Sequence, residues 1–316
     1  MALVLFPLLS ALALKQTAGN VAKSGLLPHI DEQCSPTTAP YRLPYTGLPA
    51  VDTGLCGVVA FFHLAFTPPV RPFLDYFLYT APVLLAIPAL EGVRQRRSGL
   101  LAFPVVYGLC MQMFTAGAVY PIYWLAFIST GAHRRSAEGT TSTVSAAHAQ
   151  AVAFGLFIGA AVPTMCLVWL EDPYITVLWQ LFPLWQSLAQ SAHLLVRKPN
   201  RNESGFTWIQ ALYVGVFMVA SSTHISALAK GDLNAIFVPS LEPRVGVAPE
   251  LQVLDLLQWD GIFAFVSSLL GTVWFGRTTT EAACILLWNV LGTMLVGPGA
   301  ALAAVALWRE SHLYST

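Results

Sequence analysis

The sequence predicts an all-α integral membrane protein, a polytopic bundle of about seven or eight transmembrane helices. Three observations carry this reading. The 316 residues are 56% hydrophobic and 10% charged, whereas a soluble domain carries about 25% charged residues. Apolar stretches near the ~20 residues needed to cross a bilayer follow one another from Val51 to Trp308. Charged side chains fall almost wholly between them. Acidic and basic side chains number 16 each, a balance that argues against a nucleic-acid partner.

Residues 1–14 are apolar but short for a span and lack the basic start of a secretory leader. A leader, a short anchor and an interfacial helix all fit them. Residues 15–50 are polar and bear prolines, as a loop or surface segment does. The expected division is 1–45, an apolar segment with a polar loop, and 46–316, the helical membrane domain. The expected spans are 51–66, 74–91, 101–130, 148–170, 174–196, 206–229, 257–275 and 282–308. The third is long enough to tilt or bend, with Pro121 as the bending point. The connection 230–256 carries Pro239, Pro243 and Pro249, and caps one face in this reading. Cys56, Cys110, Cys166 and Cys284 lie in or beside apolar stretches and Cys34 in a polar one. They read as small buried hydrophobes, not as a disulfide framework or a metal set.

Orientation is close to a draw. One side collects Lys15, Lys23, Arg42, Arg94, Arg96, Arg97, Lys230, Arg244 and Arg309. The other collects Arg71, Arg134, Arg135, Arg197, Lys198, Arg201 and Arg277. The sequon Asn202-Glu203-Ser204 favours a lumenal loop, while the basic residues around it favour the cytosol.

Polar residues within spans should face the bundle interior. Residues three, four and seven apart share a helix face. Such stripes are Asp52, Cys56, Val59 and His63; Gln112, Ala116, Tyr120 and Tyr123, flanked by Trp124; Trp179, Pro183, Gln186, Gln190 and His193; Tyr213, Phe217, Ala220 and His224; and Asp260, Ala264, Ser267, Gly271 and Trp274. Helix packing through hydrogen bonds accounts for any one stripe. A shared cavity accounts for all of them. Among the acids, Glu91 closes the second span and is also placed to pair with Arg94 or Gln95. Asp260 opens the seventh span, where the helix dipole favours an acid. Asp52 is placed to cap the first. Asp75 is placed similarly, and Glu171-Asp172-Pro173 read as a solvated turn. A carboxylic acid in an apolar cavity serves as a general acid, and aromatic faces stabilise a cation. These are the requirements for opening an epoxide and guiding polyene cyclisation. An aspartate-rich diphosphate motif, a glycine-rich phosphate loop, H-E-x-x-H and G-x-S-x-G are all missing from the sequence, so metal-dependent chemistry is disfavoured.

Leu43-Pro44-Tyr45-Thr46-Gly47-Leu48-Pro49 with Asp52, Val59-Ala60-Phe61-Phe62, Glu91, Gln112 with Tyr120-Pro121-Ile122-Tyr123-Trp124, Trp179-Gln180-Leu181-Phe182-Pro183, Gln190, Leu257-Gln258-Trp259-Asp260, Ser267, Ser268 and Trp274 together resemble the fungal membrane-bound terpene (meroterpenoid) cyclases typified by the ascofuranone-pathway cyclase. The likeness covers most of 43–275. It implies a cofactor-independent cyclase of isomerase or lyase type, multi-pass in the endoplasmic reticulum. Its substrate would be a hydrophobic prenylated small molecule carrying an epoxide, supplied by a prenyltransferase and an epoxidase in the same lipid bilayer. By this resemblance Glu91, Asp260 and Asp52 are the candidate catalytic acids. Tyr120, Tyr123, Trp124, Trp179 and Trp259 would face the cation, and Gln112 and Gln180 would position oxygen. A transporter with helices interrupted at Pro121, Pro163 and Pro183, and a non-catalytic membrane scaffold, are the competing readings.

Overall fold

A computed structural model describes residues 1–35, 39–94, 99–133, 143–200 and 202–315. Gln95, Arg96, Arg97, Arg134, Arg135 and Arg201, used above for pairing and charge balance, lie outside the described residues. Among the described residues the regular elements are helical, and the one isolated bridge pairs Ser145 with Ser204.

The helix α1 (Ala2–Gln16) continues into α2 (Ala18–Ser24), and α3 (Leu26–Gln33) turns away at Gly25 in the left-handed conformation. Much of the expected polar loop 15–50 is therefore helix. The reason is a face of Val21, Leu26 and Ile30, which packs against Ala65, Val70 and Val253. Next come α4 (Pro49–Ala65), α5 (Arg71–Thr80), α6 (Pro82–Gly92), α7 (Pro104–Phe114) and α8 (Ala116–Ser129). A helix made of α9 (Ala146–Phe154), a π-helical stretch Gly155–Ala161 and α10 (Val162–Leu170) follows. The rest are α11 (Pro173–Trp179), α12 (Phe182–Val196), α13 (Phe206–Lys230), α14 (Leu233–Phe237), α15 (Pro249–Thr272), α16 (Thr279–Val296) and α17 (Pro298–Tyr314). Proline in the first turn starts α4, α6, α11, α15 and α17, where its missing N–H has no helical partner to lose. Thr278 caps α16 by accepting from Glu281 N, and Glu281 reaches back to Arg277 N, a variant of the reciprocal capping box.

Among the described residues, six helices are long and apolar enough to cross a membrane: Ala2–Ser24, Arg71–Gly92, Ala146–Leu170, Phe206–Lys230, Pro249–Phe275 and Thr279–Val296. Four expected spans take other forms, and two of these, 174–196 and 282–308, are each divided, into α11 and α12 and into α16 and α17. The stretch 51–66 is α4, with 17 residues. The loop before it reaches α11 through Tyr45 against Tyr174, and its last turn reaches α11 through Phe62 against Trp179. Both contacts fall on one seven-residue helix, so α11 lies alongside α4, which is shorter and apolar. Cys34 and Cys56 form a disulfide, with Cα atoms 5.9 Å apart, which fastens α4 to the end of α3. This corrects the reading of these two cysteines as isolated small hydrophobes. A fold-back of the chain between α3 and α4 brings them together.

The stretch 101–130 is not one bent helix. Helices α7 and α8 form an antiparallel hairpin that reverses at Thr115 (φ 83°, ψ 150°), while Pro121 lies inside α8. Tyr107 of α7 faces Tyr123 of α8 with ring centroids 5.2 Å apart. The stem lies at the Glu91 end, where Gly92 abuts Pro104 and Arg309 reaches Ala132 O. The tip enters the bundle against α1 and α15: Ser10 Oγ donates to Ala118 O, and Asp260 Oδ1 accepts from Gly117 N. Along α15, Ala264, Ser267 and Gly271 are buried, as the stripe beginning at Asp260 predicts, and so is Ser268 beside them. A Cβ at Gly271 would come within 2.1 Å of the Trp124 ring, so only glycine lets α8 approach so closely.

At the Glu91 end, four charged side chains are buried together. Arg94 Nε donates to Glu91 Oε1 at 2.7 Å, Arg309 Nη1 donates to the same oxygen at 2.5 Å, and Arg94 also pairs with Glu310. The Arg309 guanidinium lies over Phe275 at 4.3 Å. This network clamps α6 to α17. Removing one partner of a buried pair costs about 3–5 kcal/mol because the other charge stays buried. Arg309→Met is therefore expected to lower thermal stability strongly. A melting curve of the detergent-solubilised protein checks this, and an unchanged Tm would contradict the clamp.

Candidate functional site

The site is built around the hairpin tip. Thr115 closes α7 and opens α8: its N–H donates to Met111 O, and its carbonyl accepts from Val119 N. The first amides of α8 have no intrahelical acceptor. Asp260, roughly 16 Å along α15 from its start at ~1.5 Å per residue, supplies one. Its Oδ1 takes Gly117 N–H at 2.5 Å, and the Ala116 amide and Thr115 side chain lie beside the same carboxylate. Gly117 is required here: a Cβ would stand 2.8 Å from Asp260 O and 3.0 Å from Oδ1. Asp260 is partly buried as a residue.

A narrow cavity of about 40 Å³ runs beside the hairpin. Tyr107, Tyr120 and Tyr123 line one wall, and Pro183, Gln186 and Gln190 of α12 line another. The stripe on α12 predicts the second wall from Pro183 onward. Tyr120 links the cavity to Asp260. Its ring lines the cavity, its hydroxyl donates to Leu84 O at 2.6 Å, and it lies within electrostatic range of the Asp260 carboxylate.

The other expected site residues are dispersed. Glu91 belongs to the buried ion network, the pairing with Arg94 already allowed by its spacing. Asp52 caps locally: its carboxylate accepts from Thr46 N, Thr46 Oγ1 and Gly47 N. Trp124 is buried against α15 and donates to Ser268 Oγ at 3.1 Å. Trp179 donates to Thr164 Oγ1 and packs on Phe62 and Phe182. Gln180 caps the end of α11 through Thr176 O. Trp259 points away to Ser240 O. Gln112 precedes the reversal at Thr115, so the helix face expected to join it to Tyr120 does not exist. Near α4, Tyr45 donates to Tyr41 O, and burial, with Tyr174, Asp172 and Asp52 nearby, pushes its hydroxyl up to about 12. It is neutral at physiological pH.

A wide groove of about 780 Å³ lies at the other end, between α5 and α13. Arg71, Asp75, Tyr79, Ser226 and Lys230 line it. Among the described residues no group of three or more His, Cys, Asp or Glu is arranged to hold a metal ion.

The chain matches the CtvD domain over residues 1–314. It is 29% identical over 289 residues to terpene cyclase rstn5 of Aspergillus nomiae, covering 84% of this chain and 81% of that protein. A terpene cyclase of Pyrenophora dematioidea is 25% identical, covering 98% and 95% of the two chains. Terpene cyclase ascI of Acremonium egyptiacum is 26% identical over 160 residues, covering 46% and 41%. No solved structure matches. With nearly the whole chain matched, from α1 through α17, this protein belongs to the CtvD-domain family.

Proposed function

We propose that this chain is a membrane-embedded terpene cyclase, multi-pass in the endoplasmic reticulum. It isomerises the epoxidised prenyl chain of a meroterpenoid without a metal or organic cofactor. The single observation that carries this reading is a carboxyl at the tip of a hairpin whose tyrosines line a cavity walled also by Pro183, Gln186 and Gln190. The terpene cyclase names of relatives covering most of the chain support it.

In this reading the Asp260 carboxyl, with Oδ1 held by Gly117 N–H, carries the proton. That proton passes to the epoxide oxygen as the C–O bond at the more substituted carbon breaks. The bond pair stays on oxygen, which becomes a hydroxyl. The amides at the start of α8 stabilise the carboxylate as it forms. A neighbouring alkene donates its π pair to the electron-poor carbon and closes a ring. The tyrosine faces stabilise the travelling cation, and the apolar wall keeps water from quenching it. Loss of a proton from the last cation restores an alkene, and return of a proton restores Asp260. Substrate and product are isomers. The cavity is small in the unliganded protein, so entry of a prenylated aromatic requires α12 to part from the hairpin. Glu91 serves structure in this scheme, because two guanidinium groups already share its oxygen.

A second reading draws on the same hairpin. A broken helix with its N-terminus inside a bundle is a feature of transporters. Proteoliposome flux without product formation would favour it.

The disulfide orients the bundle in this reading. Disulfides persist in oxidising compartments, so the end bearing Cys34–Cys56 faces the lumen. Asn202 precedes α13, whose far end, Lys230, lies beside Arg71. Arg71 in turn pairs with Glu171, next to α11 and α4. The sequon therefore faces the cytosol and stays unglycosylated. The expected outcome is an identical gel mobility for wild type and Asn202→Gln from a eukaryotic host; a shift would reverse the orientation.

The decisive test incubates membranes containing the protein with a panel of epoxidised farnesyl phenols and analyses products by mass spectrometry. A new isomer of unchanged mass is expected. Asp260→Asn, at equal protein level, should lower turnover at least about 100-fold, the lower range for loss of a general acid. Full turnover in this variant would refute the role given to Asp260.

A further inference from the structure

Thr115 is the most strained of the residues around Asp260. Its φ of 83° with ψ of 150° lies in a region nearly reserved for glycine, and β-branching makes the conformation costlier still. Among the described residues, Glu171 is the only other non-glycine with positive φ, and it lies in the ordinary left-handed region at the end of α10. Threonine at the start of a helix usually accepts a bond from a free amide through its own hydroxyl. Thr115 makes no such cap. Asp260 has taken over that task at Gly117. The Thr115 hydroxyl is buried beside the Asp260 carboxylate, its polar neighbour at the tip. Glycine at this position would remove the strain. The backbone geometry therefore gives no reason for threonine here.

We propose that Thr115 is a second catalytic residue of the cyclase site, its hydroxyl donating a hydrogen bond to the substrate's epoxide oxygen beside the proton delivered by Asp260. The inference rests on the role given to Asp260 above. It is catalysis by a fixed donor aimed where charge develops. The strained backbone at the tip holds the hydroxyl in place, so little reorganisation accompanies the reaction. Proton transfer remains with Asp260, and Thr115 exchanges no atom with the substrate.

The test compares Thr115→Val, Thr115→Ser and Thr115→Gly with Asp260→Asn, using the panel member that wild type converts. Valine keeps the shape and loses the hydroxyl. It should lower kcat about 10- to 100-fold, at or below the range for removing one such donor, with KM changed less than threefold. Serine should recover most of that loss. Glycine should melt at a higher temperature than wild type yet turn over as slowly as valine, a split that a structural role does not produce. Should valine misfold, the serine and glycine pair still decides the matter. Wild-type turnover in the valine or glycine variant, with Asp260→Asn inactive, would overturn the role of Thr115 and leave that of Asp260 standing. Full activity in Asp260→Asn, or no conversion of any panel member by wild type, would overturn both.

Discussion

The bond from Gly117 N–H to Asp260 is the contact on which the interior depends. A helix that stops and reverses inside an apolar bundle leaves amide groups without acceptors, and an unpaired amide away from water costs several kcal/mol. The hairpin of α7 and α8 is possible because α15 brings a carboxylate to its tip. Once α8 starts there, Tyr120 reaches Leu84 O, Trp124 reaches Ser268, and the ring of Trp124 fills the notch at Gly271. The tyrosine wall of the cavity follows from the same placement.

The other end is held by a different solution to the same problem. Arg94, Glu91, Arg309 and Glu310 bury two positive and two negative charges, with Oε1 of Glu91 shared by both guanidinium groups. Desolvation offsets much of the Coulombic gain of such a cluster. What it contributes is register, because Arg309 reaches Glu91 and Glu310 reaches Arg94 only when α17 and the end of α6 are set side by side as here. Asp260 differs in this respect. Among the described residues its partners are amides and a hydroxyl, whereas Glu91 and Glu310 are buried against guanidinium groups. Two acids that look alike in sequence, each at the edge of an apolar run, are separated by their partners.

Periodicity made the α15 face legible: Ala264, Ser267 and Gly271 are buried as their spacing from Asp260 requires. It also made Pro183, Gln186 and Gln190 legible as one wall. It failed where composition is blind to direction. A helix that crosses and a hairpin that reverses have the same apolar content, and nothing in Phe114-Thr115-Ala116 announces a left-handed turn, since glycine or asparagine is the usual signal. The face drawn through Gln112 and Tyr120 was lost with that reversal. Arg309 escaped notice because its partner Glu91 is 218 residues away, far beyond the reach of helical spacing. Cys34 and Cys56 carried no framework signal, as pairing depends on the fold-back between α3 and α4.

The two unusual features of the tip have one explanation. Packing alone would place an apolar residue on α15 at position 260 and a glycine at position 115, with a solvent-free turn made elsewhere. Instead the bundle holds a carboxyl whose partners are amides and a hydroxyl, and a threonine in a conformation that threonine avoids. Each is tolerated because the surrounding helices fix it: α1 through Ser10, α15 through Gly117, and α6 through the Tyr120 hydroxyl. Strain that is held in place from three sides, beside an acid and an aromatic cavity, is what a site needs when its reaction creates charge suddenly and must not wait for the protein to respond.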